Sequence, residues 1–75
     1  MLAFLLITVI KGNERTIGDK LLELDNVKNV HMLYGEFDLV ARVEVNDIVN
    51  LQNFIIEKIR PIRGIERTDT LITVQ

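Results

Sequence analysis

Two short stretches hold the residues best able to do chemistry: Tyr34-Gly35-Glu36-Phe37-Asp38, and Arg67-Thr68-Asp69-Thr70. Gly35 permits positive φ and lets the backbone come close to a ligand. A tight loop of that kind can turn successive N–H groups inward as an anion nest, suited to a carboxylate. Asp38 and Asp69 offer acceptors for an ammonium group, and the hydroxyls of Thr68 and Thr70 can donate or accept. A nest beside fixed acceptors fits the two charged ends of a free α-amino acid. The same residues also serve plain structure: a glycine for the turn, Asp38 bonding its own backbone, and threonines as ordinary strand formers. Taken alone, these residues leave both readings open.

Other chemistries find less support. His31 is the only histidine, in a stretch read as a strand, where it faces solvent or an interface. The chain has no serine and no cysteine, which removes the commonest nucleophiles. Glu44, Asp47 and the other acids are scattered, without metal-ligand spacing. The glycines are isolated rather than gathered in a phosphate loop, so no cofactor is expected. Arg60, Arg63 and Arg67 cluster in "RPIRGIER". They could form an anion site, or they could be cations complementing a helix C-terminus. Direct nucleic-acid binding is not expected. The net charge is -2, the pI is near 5.2, and the few aromatics do not interleave with basic residues.

These residues need a scaffold. At 75 residues and 48% hydrophobic, the chain reads as a single domain over 1–75, near the lower size limit for one core. Leu2 to Ile10 is apolar almost throughout, as a central strand covered on both faces would be. Its start, "MLAFLLITVI", lacks the flanks of a signal segment and is too short to cross a bilayer. A cytoplasmic protein without membrane contact is therefore expected. Asn13 is a candidate N-cap for a helix over 14–24, with Ile17, Leu21 and Leu24 at helical spacing. Strands are predicted from Val27 to Tyr34 and from Asp38 to Val45, joined through Gly35. Asp47 caps a second helix with a stripe of Ile48, Leu51, Ile55 and Ile59, closed by Pro61 and Gly64. A last strand runs from Ile65 to Val74.

The order β-α-β-β-α-β predicts an α+β, ferredoxin-like fold, a four-stranded antiparallel sheet with two helices on one face. In the first strand Ala3, Leu5, Ile7 and Val9 point one way and Leu2, Phe4 and Leu6 the other. One set must face the helices, and the remaining set is still apolar. An apolar patch of that kind marks an interface, and a second copy, sheet against sheet, is the expected cover.

"NVHMLYGEFDLVARVEV" and "LQNFIIEKIRPIRGIERTDTLITV" closely resemble the effector-binding module of the Lrp/AsnC regulators, the RAM domain. The resemblance runs from end to end. Its most specific parts are Gly35-Glu36-Phe37-Asp38 and the stretch from Gly64 to Ile72. It implies dimers with paired sheets, in the manner of dimeric α+β barrels, that assemble further, up to octamers. It also implies an amino-acid effector held between dimers against the loop Tyr34, Gly35, Glu36, Phe37 and Asp38, with Thr68 and Thr70 across the cleft. Full regulators of this kind carry a helix-turn-helix domain before the module, whereas Met1 here opens directly on the first strand. A stand-alone sensor that also associates with a full-length regulator is therefore expected, and not an enzyme. Two alternatives stand beside it: a cofactor-independent enzyme of the dimeric α+β barrel type, and a domain whose assembly alone is the function.

Overall fold

The computed structural model describes residues 1–74. The strands are β1 (Leu2–Val9), β2 (Val27–Met32), β3 (Leu39–Glu44) and β4 (Ile65–Ile72). The helices are α1 (Glu14–Leu22) and α2 (Ile48–Phe54), the latter continued by a π-helical turn over Ile55–Ile59. The strands form one antiparallel sheet in the order β2-β3-β1-β4. This is the predicted ferredoxin-like arrangement, with β1 central.

Along β1 burial alternates strictly. Ala3, Leu5, Ile7 and Val9 are buried, while Leu2, Phe4, Leu6 and Thr8 are only half-buried. The buried set meets Ile17 and Leu21 of α1, Leu51 and Phe54 of α2, and Ile59 in one core with Leu39, Ala41 and Val43 of β3. Within the chain, then, β1 is covered on one face rather than on both. Each fully buried Leu or Ile in this layer contributes roughly 1.5–3 kcal/mol relative to exposure.

Several boundaries fall inside the predicted ones. α1 stops at Leu22, not Leu24, because its last turn tightens: Glu23 N–H donates to Lys20 O and Leu24 N–H to Leu21 O. Leu24 still packs against the core from the turn. Asn13 stands at the N-cap but makes no side-chain cap; only its carbonyl accepts, from Ile17 N–H at 2.9 Å. Asp47 does cap, accepting from Asn50 N–H at 2.8 Å. β2 ends at Met32 and β3 begins at Leu39, and β4 ends at Ile72.

The second helical stripe also differs from expectation. Ile48 is 51% exposed, and Phe54 takes its place in the core. Phe54 and Ile59 are five positions apart, a spacing that scatters around an α-helix. The π-turn, in which Arg60 N–H donates to Ile55 O at 2.9 Å, adds the residue that returns both to one face. Pro61, which has no N–H, follows directly. Gly64 then turns the chain with φ of 103°, and its carbonyl accepts from Ile10 N–H. No described helix is long and apolar enough to cross a membrane.

Candidate functional site

The loop between β2 and β3 closes where Leu33 N–H donates to Asp38 O at 2.8 Å. Asp38 anchors it to the sheet twice. Its N–H donates to Ile7 O at 2.9 Å, and its carboxylate accepts from Val9 N–H at 2.8 Å. Asp38 therefore does not bond its own backbone, as the structural alternative supposed, but satisfies an end of the central strand. One of its oxygens is already committed there. Tyr34 at the tip is fully exposed, as are its neighbours Met32 and Leu33 in large part. Gly35 has φ of 156°, with open space where a Cβ would stand. That positive φ is far from the left-handed well near ~+57°.

β1 and β4 pair in a register that decides which side each polar residue serves. Thr8 lies opposite Arg67 and Leu6 opposite Asp69, so these face away from the helices. Ile7 lies opposite Thr68 and Leu5 opposite Thr70, which puts both threonines on the helix side. The predicted trio Thr68, Asp69 and Thr70 is thus split by strand alternation. Between Thr8↔Arg67 and Val9↔Ile65 the register shifts, leaving Glu66 as an extra residue on β4. Such a bulge twists an edge strand and re-aims its side chains.

The loop and β4 are brought together by a residue that the expected ligand-binding set left out. The Arg67 guanidinium lies 5.2 Å from the centre of the Phe37 ring, in cation–π range, and donates to Asp69 Oδ2 at 2.9 Å. Its pKa is raised above the ordinary value, first by its hydrogen bond to Asp69, then by the charge of Asp69, with Glu36 adding to it. The signal was in the sequence: opposite charges two apart on a strand share a face. Of the arginine cluster, Arg60 caps the π-turn and fits the helix-terminus reading, but Arg67 sits within β4 and does not.

Beside this contact a cavity of about 390 Å³ opens at the bulge, lined by Arg60, Ile65, Glu66, Arg67 and Thr68. A larger open groove, about 590 Å³, lies between α2 and the ends of β2 and β3, and includes Asn26, Asn46, Asn50 and Asn53. It contains none of the predicted ligand-binding residues.

The face away from the helices carries Leu2, Phe4 and Leu6 as a central apolar stripe. On one side stands the Arg42–Glu44 ion pair, 3.0 Å, and on the other Arg67–Asp69. Arg42 Nε is shut off from solvent with no acceptor among the described residues. His31, opposite Val40, is exposed on the same face.

Comparison with known proteins agrees with this arrangement. The sequence model of the Lrp/AsnC ligand binding domain matches residues 2–75. The HTH-type transcriptional regulator FL11 of Pyrococcus furiosus is 29% identical over all 75 residues, which cover 49% of that protein. A hypothetical protein of Pyrococcus horikoshii, PHS023, superposes with a TM-score of 0.93 at 39% identity, over 99% of this chain and 89% of that one. The regulator NMB0573 of Neisseria meningitidis, solved as a complex with L-Met, shares the fold at a TM-score of 0.89 and 16% identity, over 99% of this chain and 49% of that one. The chain spans less than half the length of the curated relatives it matches. With a family match over nearly every residue and a fold to suit it, the chain belongs to the Lrp/AsnC family, as its ligand-binding domain.

Proposed function

We propose that this domain senses a free amino acid by binding it, without catalysis, at seams between copies of itself. The observation that carries the reading is the Arg67–Phe37 contact, which joins the 34–38 loop to the opening of β4. At that junction Asp69 accepts from Arg67 and Glu36 adds its charge, with Asp38 and Thr68 next in the chain to Phe37 and Arg67. Tyr34 and Thr70 extend it toward a neighbouring subunit. The L-Met complex of the Neisseria regulator supports an amino acid as the effector class.

Assembly completes the site. Leu2, Phe4 and Leu6 form the dimer seam, sheet against sheet about a two-fold axis, and a facing copy supplies an acceptor for the stranded Arg42 Nε. Dimers then associate further, up to octamers, and also with full-length regulators of the family in the cytoplasm, where those partners contact DNA. The enzyme alternative would need a pocket between sheet and helices, but fully buried side chains such as Leu5, Ile7, Leu21 and Ile59 fill that space. Calorimetry of the assembled protein against each of the twenty amino acids tests the reading. At least one binds saturably; a folded oligomer that binds none refutes it.

A further inference from the structure

Four of the six asparagines in the chain line one groove, the open space of about 590 Å³ between α2 and the ends of β2 and β3. Asn50 and Asn53 belong to α2, and Asn46 stands just before its cap. Asparagine is a poor choice for an exposed helical position, because its short carboxamide competes for nearby backbone groups. Glutamate, lysine, glutamine or alanine would hold the helix more firmly. None of these three carboxamides makes a hydrogen bond to protein among the described residues, so no cap or turn accounts for them. The fourth, Asn26, donates from Nδ2 to Glu44 O at 2.9 Å, which fixes its plane and leaves Oδ1 as an acceptor. The charges nearby are largely engaged elsewhere. Lys28 Nζ donates to Asp25 O at 3.1 Å and the Met1 ammonium to Val45 O at 2.7 Å. Glu44 pairs with Arg42 on the other face of the sheet. Glu57 and Lys58 set opposite charges side by side on the rim. Phe54 is almost wholly buried, so the groove offers no ring face for stacking.

We infer that this groove binds a neutral, hydroxyl-rich ligand, a monosaccharide or a polyol, through its asparagine carboxamides. Each carboxamide presents an acceptor oxygen beside two N–H donors. Vicinal hydroxyls present the same alternation, each able to donate and to accept, so that one amide engages two of them. Neutral hydrogen bonds at an open surface contribute modestly, and a few of them set an affinity on the order of millimolar. Other ligand classes fit the groove less well. An anion meets Glu57 as well as Lys58, and a nucleobase lacks an aromatic platform. None of the groove's residues belongs to the proposed effector site, so the inference stands independently of amino-acid sensing.

The test follows the side-chain NH₂ signals of the ¹⁵N-labelled protein during titration with glucose, galactose, mannose, ribose and sorbitol. At least one compound moves the signals of Asn46, Asn50 and Asn53 saturably. Those of Asn13 and Asn29, which lie outside the groove, stay in place. Added sodium chloride changes the affinity by less than about twofold, as befits an uncharged ligand. Asn50→Ala and Asn53→Ala each weaken binding about threefold to tenfold. Both variants melt no lower than the parent, because alanine is the better helix former. An asparagine with a purely structural role would do the reverse. Signals that ignore all the compounds, or that move equally at Asn13 and Asn29, overturn the inference. So do variants that bind like the parent, and a groove that answers only to adenosine or only to glucose 6-phosphate.

Discussion

The carboxylate of Asp38 accepts a hydrogen bond from the Val9 N–H, 2.8 Å away and twenty-nine positions earlier in the chain. A residue at the mouth of the proposed site therefore also completes the ladder of the central strand. Removing it leaves a partly buried donor without a partner. Asp38→Ala lowers stability by roughly 1–2 kcal/mol, read from urea unfolding, while Asp38→Asn, which keeps an acceptor oxygen, loses less. Equal stability of Asp38→Ala and the parent would show that water replaces the bond at no cost.

Gly64 is held in place by conformation and by space. At φ of 103° an ideal Cβ would come within 2.8 Å of Ile17 Cδ1, a buried atom of α1. Gly64→Ala therefore destabilises by about 1–3 kcal/mol, visible as a fall in melting temperature. Trimming the obstacle in the double variant Gly64→Ala/Ile17→Val recovers less than the full loss, because the backbone strain remains.

Leu5 and Leu6 are neighbours with opposite loyalties. Leu5→Ala opens the core and costs about 2–5 kcal/mol in every state of assembly. Leu6→Asp leaves the core intact but puts a charge in the proposed seam. Sedimentation then finds it as a folded monomer at concentrations where the parent is associated. An associated Leu6→Asp variant would place the seam elsewhere.

The two helix starts respond differently to alanine. Asp47→Ala loses a bonded cap worth about 1 kcal/mol. Asn13→Ala changes stability by far less, since its side chain makes no cap hydrogen bond. Chemical denaturation of both single variants makes the comparison directly.

The Arg67 contact has a defined pH behaviour on its basic side. A raised pKa means that the contribution is fully present below the ordinary guanidinium value and is lost only as pH rises through the folded one. The Phe37 ring resonances therefore do not move between neutral and moderately alkaline pH for want of charge on Arg67. Arg67→Lys, with a compact ammonium and a lower titration range, shifts them at neutral pH and moves them again as the lysine titrates.

Much of the fold was readable because it rests on local rules. The alternation of β1 separated Leu2, Phe4 and Leu6 from Ala3, Leu5 and Ile7, and Asp47 announced a helix start. What escaped depended on distant partners or on counts that depart from the regular period. Nothing near Asp38 indicates Val9 as its partner. The five-residue step from Phe54 to Ile59 breaks α periodicity, and only the π-turn reconciles it. Glu66 looks like an ordinary strand residue until its register with β1 is known. Of the candidate site, the sequence offers the two stretches as candidates but not their meeting through Arg67. Alternation alone would have told Thr68 and Thr70 apart from Asp69.

β4 is a single ribbon read by two audiences. Its odd-numbered side chains from Arg67 onward look out from the face away from the helices, and its even-numbered ones look back toward the helices. Changes in one series can therefore accumulate without disturbing the other, so that the proposed seam and the proposed effector site can drift separately. Arg67, standing where the extra residue breaks the count, is the position at which that independence ends.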